Sequence, residues 1–460
     1  MRTDKNKAKK WPKIRKFLND IHLWGGLISG IVVFIVCLTG TIYTYNTELR
    51  EAALSEFYNV KKAGEKMNPD DLLAQVKPDV NGKIVGMKIP YEDGKTSFIL
   101  YNKTPEKPKN ADREADSGSR NDQGPQHKDT QGKQDSTQVG RGANTQVAAA
   151  NPTPRPQGGG RGRGPRANQL AVNPYTGEII GDPGEVKTRT AEFMQKMFGL
   201  HRWLLLNEIE EPLIEGIENR KLGSWITGTA TLLFLLGVLT GIVIWFPNKL
   251  RSWKNGLNIR WKANWKRVNH DLHNTLGFYS FILLFLMSVT GPFWSFDWYR
   301  TGWQKTWGTY QDPNAPKVEK PKLVSDILAG QEPINIAQTL AIVNETLPYK
   351  GDVTINFASD STGTLSISKN RIGFFAPSAG DKLVLDQYSG AVLEKDIFRE
   401  KPFNERAAAS IKALHIGDIY GPFTKLLYFI ACLIATSLPV TGVLIWINKM
   451  KKKPKKRQTT

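Results

Sequence analysis

The residues able to do chemistry in this 460-residue chain are few. It has six histidines, and five of them, His22, His201, His270, His273 and His415, stand beside long apolar runs. His127 lies apart, in a polar stretch. His22 and His273 each precede a Thr-Gly step by seventeen residues, Thr39-Gly40 and Thr290-Gly291, and each is followed four residues later by a glycine, Gly26 or Gly277. Two more Thr-Gly steps, Thr240-Gly241 and Thr441-Gly442, follow His201 and His415 and open the pattern Thr-Gly-x-x-x-Trp, ending at Trp245 and Trp446. The histidines therefore sort into two matched pairs, His22 with His273 and His201 with His415. Imidazole is a good axial ligand for haem iron, and a helical bundle can hold a porphyrin between facing helices. The pairs predict two bis-histidine haem sites per chain. Seventeen residues of helix rise about 25 Å, which places the two sites near opposite faces of a membrane.

Other readings of the same residues are weaker. Any one histidine beside an apolar run fits an ordinary interfacial residue, but matched pairing does not follow from that. A zinc site needs about four clustered ligands, and two histidines per face leave it incomplete. Cys37 and Cys432, the two cysteines, both fall inside apolar runs, which excludes a disulfide framework, a CxxCH haem attachment and an iron–sulfur cluster held by this chain alone. They are expected to be small packing residues. His270 and His273 lie three apart and share a helix face. Spacing selects His273 as the counterpart of His22. His270 is left as a partner for a haem propionate, a proton carrier or, should the helix begin earlier, the ligand itself.

The elements that must position these residues are membrane helices. Mean hydropathy is −0.37, yet the apolar residues concentrate in four blocks, 23–45, 223–246, 275–296 and 424–447. Each is long enough to cross a hydrocarbon core of about 30 Å as a helix with its backbone satisfied internally. The blocks contain no Asp, Glu or Arg, which weighs against an ion-coupled transporter. The first block is too long for a signal peptide and lacks a small-x-small cleavage site after it, so it is expected to be an uncleaved span. Residues 1–20 carry eight Lys/Arg, 247–274 seven and 448–460 seven. The positive-inside rule puts all three on the cytoplasmic side, with both termini cytoplasmic. The net charge of +20 then marks topology and contact with anionic lipid, not nucleic acid.

The domain plan is a basic terminus (1–22), a first span (23–45), an outer module (46–101 and 170–200) and a pre-span segment (201–222). A second span (223–246), a basic loop (247–274), a third span (275–296), a second outer module (297–423), a fourth span (424–447) and a basic tail (448–460) complete it. Residues 102–169, rich in Gly, Pro, Gln and Arg, cannot bury enough surface to fold and are expected to form a disordered insert. In the first module "NPDDLLAQVKP" predicts a helix with Asn68 as N-cap and Pro69 at its first position. "KIVGMKIPY" and "TSFILYN" predict strands. The second module offers the helix "INIAQTLAIVNETLP" and the strands "GDVTINFAS" and "TLSISKN". Both modules end in Asp/Asn-x-Tyr-Thr/Ser-Gly, a β-turn at Gly177 or Gly390. The fold class expected is an α-helical membrane protein: a four-helix transmembrane bundle from an internal duplication, with two small α+β extracytoplasmic modules.

These motifs, "IHLWGGL", "DLHNTLG", "LHRWLLL", "ALHIGDIYGP", the Thr-Gly-x-x-x-Trp ends and the two module endings, resemble the PepSY-associated transmembrane (PepSY-TM) family. The resemblance covers nearly the whole chain except 102–169 and the termini. It implies a membrane reductase with two b-type haems, similar to the ferric-siderophore reductases of bacterial iron uptake, with His22, His273, His201 and His415 as haem ligands. The gap from His201 to Thr240 is thirty-nine residues against twenty-six from His415 to Thr441, which makes the outer pair the less symmetric. The cytoplasmic loops are too short for a flavin or nicotinamide fold and no Gly-rich phosphate loop opens a helix there. The expected donor is therefore quinol or a separate cytoplasmic reductase, and the expected acceptor a ferric chelate or siderophore. Trp294, Trp298, Trp303 and Trp307 follow the third span, as an interfacial belt or an acceptor dock, with Arg300 and Lys305 placed to attract an anionic chelate. The rival reading is a PepSY-module protein that binds or regulates an envelope peptidase or ligand, without redox activity.

Overall fold

The computed structural model describes residues 3–103, 167–247, 250–316, 321–327 and 330–451. His127 and most of the expected insert lie outside them. The insert is shorter than expected at both ends, because β2 and β3 below reach into 102–169. The first half of the chain runs α1 (Thr3–Tyr43), α2 (Asn46–Ala53), α3 (Ser55–Tyr58), α4 (Pro69–Val76), β1 (Gly82–Ile89) and β2 (Ser97–Lys103). It continues with β3 (Asn168–Val172), β4 (Ile179–Gly181), α5 (Arg189–Trp203) and α6 (Asn219–Trp245). The second half runs α7 (Trp265–Thr290), α8 (Asp297–Thr306), α9 (Ile336–Thr346), β5 (Gly351–Asn356), β6 (Thr364–Arg371), β7 (Asp381–Asp386) and β8 (Val392–Asp396). It ends with α10 (Phe403–Ala409), α11 (Ile411–Ile416) and α12 (Gly421–Met450).

Among the described residues four helices are long and apolar enough to cross a membrane: Lys13–Tyr43, Asn219–Trp245, Trp265–Trp294 and Gly421–Met450. α1 packs on α6 and α12, and α7 on α12 and α6, closing a four-helix bundle. Its middle is filled by Leu284, Ala431 and Ala435, with Cys37, Phe234 and Met287 against them. Both cysteines are unpaired thiols, and Cys432 Sγ approaches Met287 Sδ at 3.4 Å. The helices are longer than the apolar blocks. His22 and His273 consequently lie within α1 and α7, not at their edges. Lys425, inside the expected fourth block, sits in the first turn of α12 and pairs with Glu48 at 2.5 Å, so its charge is neutralised where the helix begins.

Beyond one end of the bundle the strands form a single antiparallel sheet, in the order β4-β3-β2-β1-β5-β6-β7-β8. Two separate modules were expected, but β1 and β5 pair directly, with Met87 opposite Ile355 and Ile89 opposite Val353. Each half thereby protects the edge strand of the other, which would otherwise expose a row of unpaired backbone groups. α4 and α9 cover one face, and their Leu72, Val76, Ile336 and Val343 pack on Met87, Ile99, Ile355 and Leu383. Each such side chain contributes roughly 1.5–3 kcal/mol by leaving water. Local signals are obeyed. Asn68 caps α4, accepting from Asp70 N, with Pro69 at the first position. Gly177 and Gly390 adopt φ of +73° and +71° in the predicted turns, a conformation that other residues reach only under strain. Asp70 also reaches across the halves, its carboxylate accepting from Ile336 N and Ala337 N at 2.7 and 2.9 Å, so the start of α9 is held by α4.

Candidate functional site: two histidine pairs

The sequence supplies each pair from elements of both halves. On the side of the bundle where α1 begins and α12 ends, here the terminal side, His22 of α1 faces His273 of α7 with ring centroids 6.2 Å apart. On the sheet side, His201 of α5 faces His415 of α11, again at 6.2 Å. α5 packs along α1 and α11 along α7, carrying their histidines inward between the spans. α5 ends abruptly just past His201. Leu204 and Leu205 both take left-handed backbone angles, φ 53° and 60°, at about 1–3 kcal/mol each. The backbone N–H groups of both residues cap the helix on Leu200 O and Gly199 O. The Thr227 hydroxyl of α6 donates to Arg202 O at 3.0 Å, which pins this terminus to the bundle.

Each of the four paired histidines is oriented by one Thr-Gly step of a neighbouring helix. His22 Nδ1–H donates to Gly237 O at 3.0 Å, with Thr240 Oγ1 at 3.2 Å. His201 Nδ1–H donates to Val36 O at 2.9 Å, with Thr39 Oγ1 at 3.5 Å. His415 Nδ1 lies 3.2 Å from Met287 O and 3.0 Å from Thr290 Oγ1. His273 Nδ1 lies 2.9 Å from Thr441 Oγ1, with the Leu438 backbone facing it as well. In all four cases the carbonyl belongs to the residue three before the threonine. A carbonyl can only accept, and each threonine already gives its own proton to its helix: Thr240 to Leu236 O, Thr441 to Ser437 O. The proton therefore sits on Nδ1, and each Nε2 is left with its lone pair free.

The glycine of each step makes the approach possible. A Cβ on Gly40 would stand 3.1 Å from His201 Cε1, and one on Gly241, Gly291 or Gly442 between 3.3 and 3.5 Å from the Cε1 of His22, His415 or His273. Sequence reasoning singled out the Thr-Gly steps but gave them no specific partner. Their repetition was the available signal. The carbonyls of Val36, Gly237, Met287 and Leu438 gave none, since every residue has one.

A metal–imidazole bond is about 2 Å, so two imidazoles on opposite faces of one iron have centroids about 6 Å apart. Both pairs match that separation. Around His22 and His273 the four spans enclose an empty volume of about 1530 Å³, its open mouth included. Its walls are mainly apolar, with Gly26, Gly30, Gly237 and Gly277 giving flat surfaces and Phe278 and Trp446 closing the sides. These residues fit a flat tetrapyrrole held through two imidazoles. Among the described residues no three His, Cys, Asp or Glu side chains cluster as a metal-binding group, so neither pair belongs to a larger set of such ligands.

The sheet-side pair differs in its charge surroundings. Burial lowers the pKa of His201, and that of His415 to about 3, with each positive neighbour adding to the effect. Both rings are thus neutral at physiological pH, as a metal ligand must be. Arg202 donates to Trp294 O at 3.4 Å, and the Trp294 ring lies 5.1 Å from that of His415. Burial, and then the charges of Arg220 and Arg300, lower the pKa of Arg202 to about 10. A guanidinium with two like charges near it and two imidazoles beside it suits a carboxylate.

His270 does not join a pair. Its exposed ring lies 3.7 Å from Asp271, whose buried carboxylate also takes Arg267 Nε at 2.9 Å, and it lines the mouth of the cavity. Of the aromatic run, only Trp294 touches a pair. Trp298 is 64% exposed. Trp303 and Trp307 pack on each other at 5.8 Å, with indole N–H groups that are buried and unpartnered. Arg300 turns to Asp297 at 3.4 Å, and Lys305 lies over Tyr310.

Four spans, paired half-buried imidazoles and a sheet beyond one end of the bundle define a class of multi-pass membrane protein. The chain belongs to the family described as the PepSY-associated TM region, which matches residues 20–449. No curated protein matches it.

Proposed function

We propose that this protein is a two-haem b-type membrane reductase that carries electrons from the cytoplasmic side to an acceptor on the sheet side, a ferric chelate or siderophore. The reading rests on one observation: two imidazole pairs with the same 6.2 Å separation, each ring fixed by a Thr-Gly step. Haem iron, when bound, supplies reversible one-electron chemistry. The chain's own residues hold, orient and insulate. His22 and His273 would hold one group, His201 and His415 the other. The Thr-Gly steps keep Nε2 of each ring directed between the helices, and the apolar walls exclude water. Along α1 the two pairs lie seventeen residues apart, from His22 to the step that receives His201, or about 25 Å. That span needs two stations. Arg202 complements the carboxylates that a b-type haem bears. The basic segments at the terminal side support a cytoplasmic placement of both termini in a bacterial inner membrane, and donation there by quinol or a separate reductase. The repeated order of helix, strands and span supports descent of the two halves from one duplicated PepSY unit.

The test is the pyridine haemochrome of detergent-purified protein. Two non-covalent haems per chain are expected, with resolved α and β bands on reduction. One haem would remove a pair from the proposal, and none would sink it.

A further inference from the structure

A second pocket lies on the sheet domain, lined by none of the paired histidines, with an empty volume of about 640 Å³, its wide mouth included. Tyr349, Lys350, Arg371, Phe375 and Arg399 line it, together with Ile372, Gly373, Ala376 and Pro377. Three cations and no acid face this space. None of the three is in an ion pair among the described residues. Arg371 is pre-positioned, its guanidinium lying 3.6 Å over the Tyr349 ring. The Tyr349 hydroxyl is itself held by the Asp381 carboxylate at 2.8 Å, and that carboxylate also accepts from Phe398 N at 2.9 Å. Asp381 is therefore engaged away from the pocket.

The lip of the pocket is fastened to the point where α12 begins. Phe423 N donates to Phe374 O at 3.1 Å and Ser378 N to Ile419 O at 3.3 Å. Gly421, at φ +59°, lets the turn pass close to the loop: a Cβ there would meet Ala376 O at 3.0 Å. The rings of Phe374 and Phe375 pack on Phe423 at 5.9 and 4.8 Å, yet remain 54% and 63% exposed. Two exposed phenylalanines beside the first turn of a membrane span are stable at a lipid interface and costly in water. Below them Leu426, Leu427 and Ile430 of α12 are also exposed, a surface for acyl chains. The cations thus stand at headgroup level above an apolar track.

We infer that this pocket binds the phosphodiester headgroup of an anionic glycerophospholipid of the sheet-side leaflet, with its acyl chains running past Phe374 and Phe375 along α12. Arg371 and Arg399 present donors to the phosphate oxygens, as guanidinium groups commonly do. The proposal is independent of the haem reading.

The experiment uses full-length protein in neutral detergent, titrated with phosphatidylglycerol or phosphatidylcholine, with bound lipids counted by native mass spectrometry. One tightly held phosphatidylglycerol is expected, with phosphatidylcholine binding more weakly. The double variant Arg371→Gln/Arg399→Gln should weaken phosphatidylglycerol by roughly tenfold or more, and Phe374→Ser/Phe375→Ser should weaken it as well. Lys83→Gln, a distant change on β1, should not. Excess inorganic phosphate should fail to displace the lipid. Retention of the lipid in the arginine variant overturns the proposal. So does displacement by inorganic phosphate together with indifference to the phenylalanine changes, which marks a site for free anions. Should Arg371→Gln compromise folding through Tyr349, Arg399→Gln alone carries the same comparison, since Arg399 is solvent-exposed.

Discussion

Removing a single hydroxyl tests whether the Thr-Gly steps orient the histidines. Thr441→Val keeps the shape of the side chain and deletes the oxygen 2.9 Å from His273 Nδ1. The other acceptor in reach is the Leu438 carbonyl. One neutral hydrogen bond contributes about 1 kcal/mol net, which is roughly a fivefold loss of haem affinity, below the roughly tenfold or more that losing a histidine's outer partner typically costs a metal site, as fits a ring that keeps a second acceptor. Thr39→Val is the internal comparison. There the hydroxyl lies at 3.5 Å and the stronger partner, Val36 O at 2.9 Å, remains, so that loss should be smaller. The assay is haem transfer to excess apomyoglobin. Thr441→Val is measured in a His201→Ala background, so that only the terminal-side pair holds haem, and Thr39→Val in a His22→Ala background. Unchanged retention in Thr441→Val, or a larger loss in Thr39→Val, would refute the orienting role.

Four further outcomes are expected. His273→Ala should lose the terminal-side haem and His270→Ala should keep both, by haem content side by side, because only His273 faces His22; the reverse result would exchange their roles. Gly40→Ala should weaken the sheet-side haem more than Gly442→Ala weakens the other, since its Cβ lies 3.1 Å from His201 Cε1 against 3.4 Å for His273; equal retention would show that the rings are not confined there. Asp70→Ala should lower the unfolding free energy by about 1–2 kcal/mol, read by denaturant titration, because it removes the acceptor of the first two N–H groups of α9 across the two halves while the Asn335 cap stays. Burial would raise the Asp386 pKa, but N–H groups of Ser389, Asp326 and Tyr388 hold it below the ordinary range. Its folded pKa being depressed, its contribution is present above pH of about 4 and lost as pH falls further; the Tm difference between wild type and Asp386→Asn should shrink on acidification, and a constant difference would contradict this.

What the sequence determined by itself was everything carried by local patterning. Uninterrupted apolar runs announce helices in lipid because nothing else satisfies their backbone. Asn68-Pro69 and the Gly177 and Gly390 turns set their own dihedrals, and the count and spacing of the histidines proposed the pairs. The tertiary structure decided what lies across from each of these. Period-two alternation fixes which face of a strand is buried but not which strand stands beside it, so the joining of β1 to β5 into one sheet was invisible. The uneven spacing after His201 was no obstacle, because the extra residues between α5 and α6 form an excursion that leaves His201 as close to His415 as His22 is to His273. Spacing along one helix chose His273 over His270, yet the Nδ1 partners sit on other helices. Contacts between helices depend on how the cylinders are rotated about their own axes, and packing of the whole bundle sets that rotation.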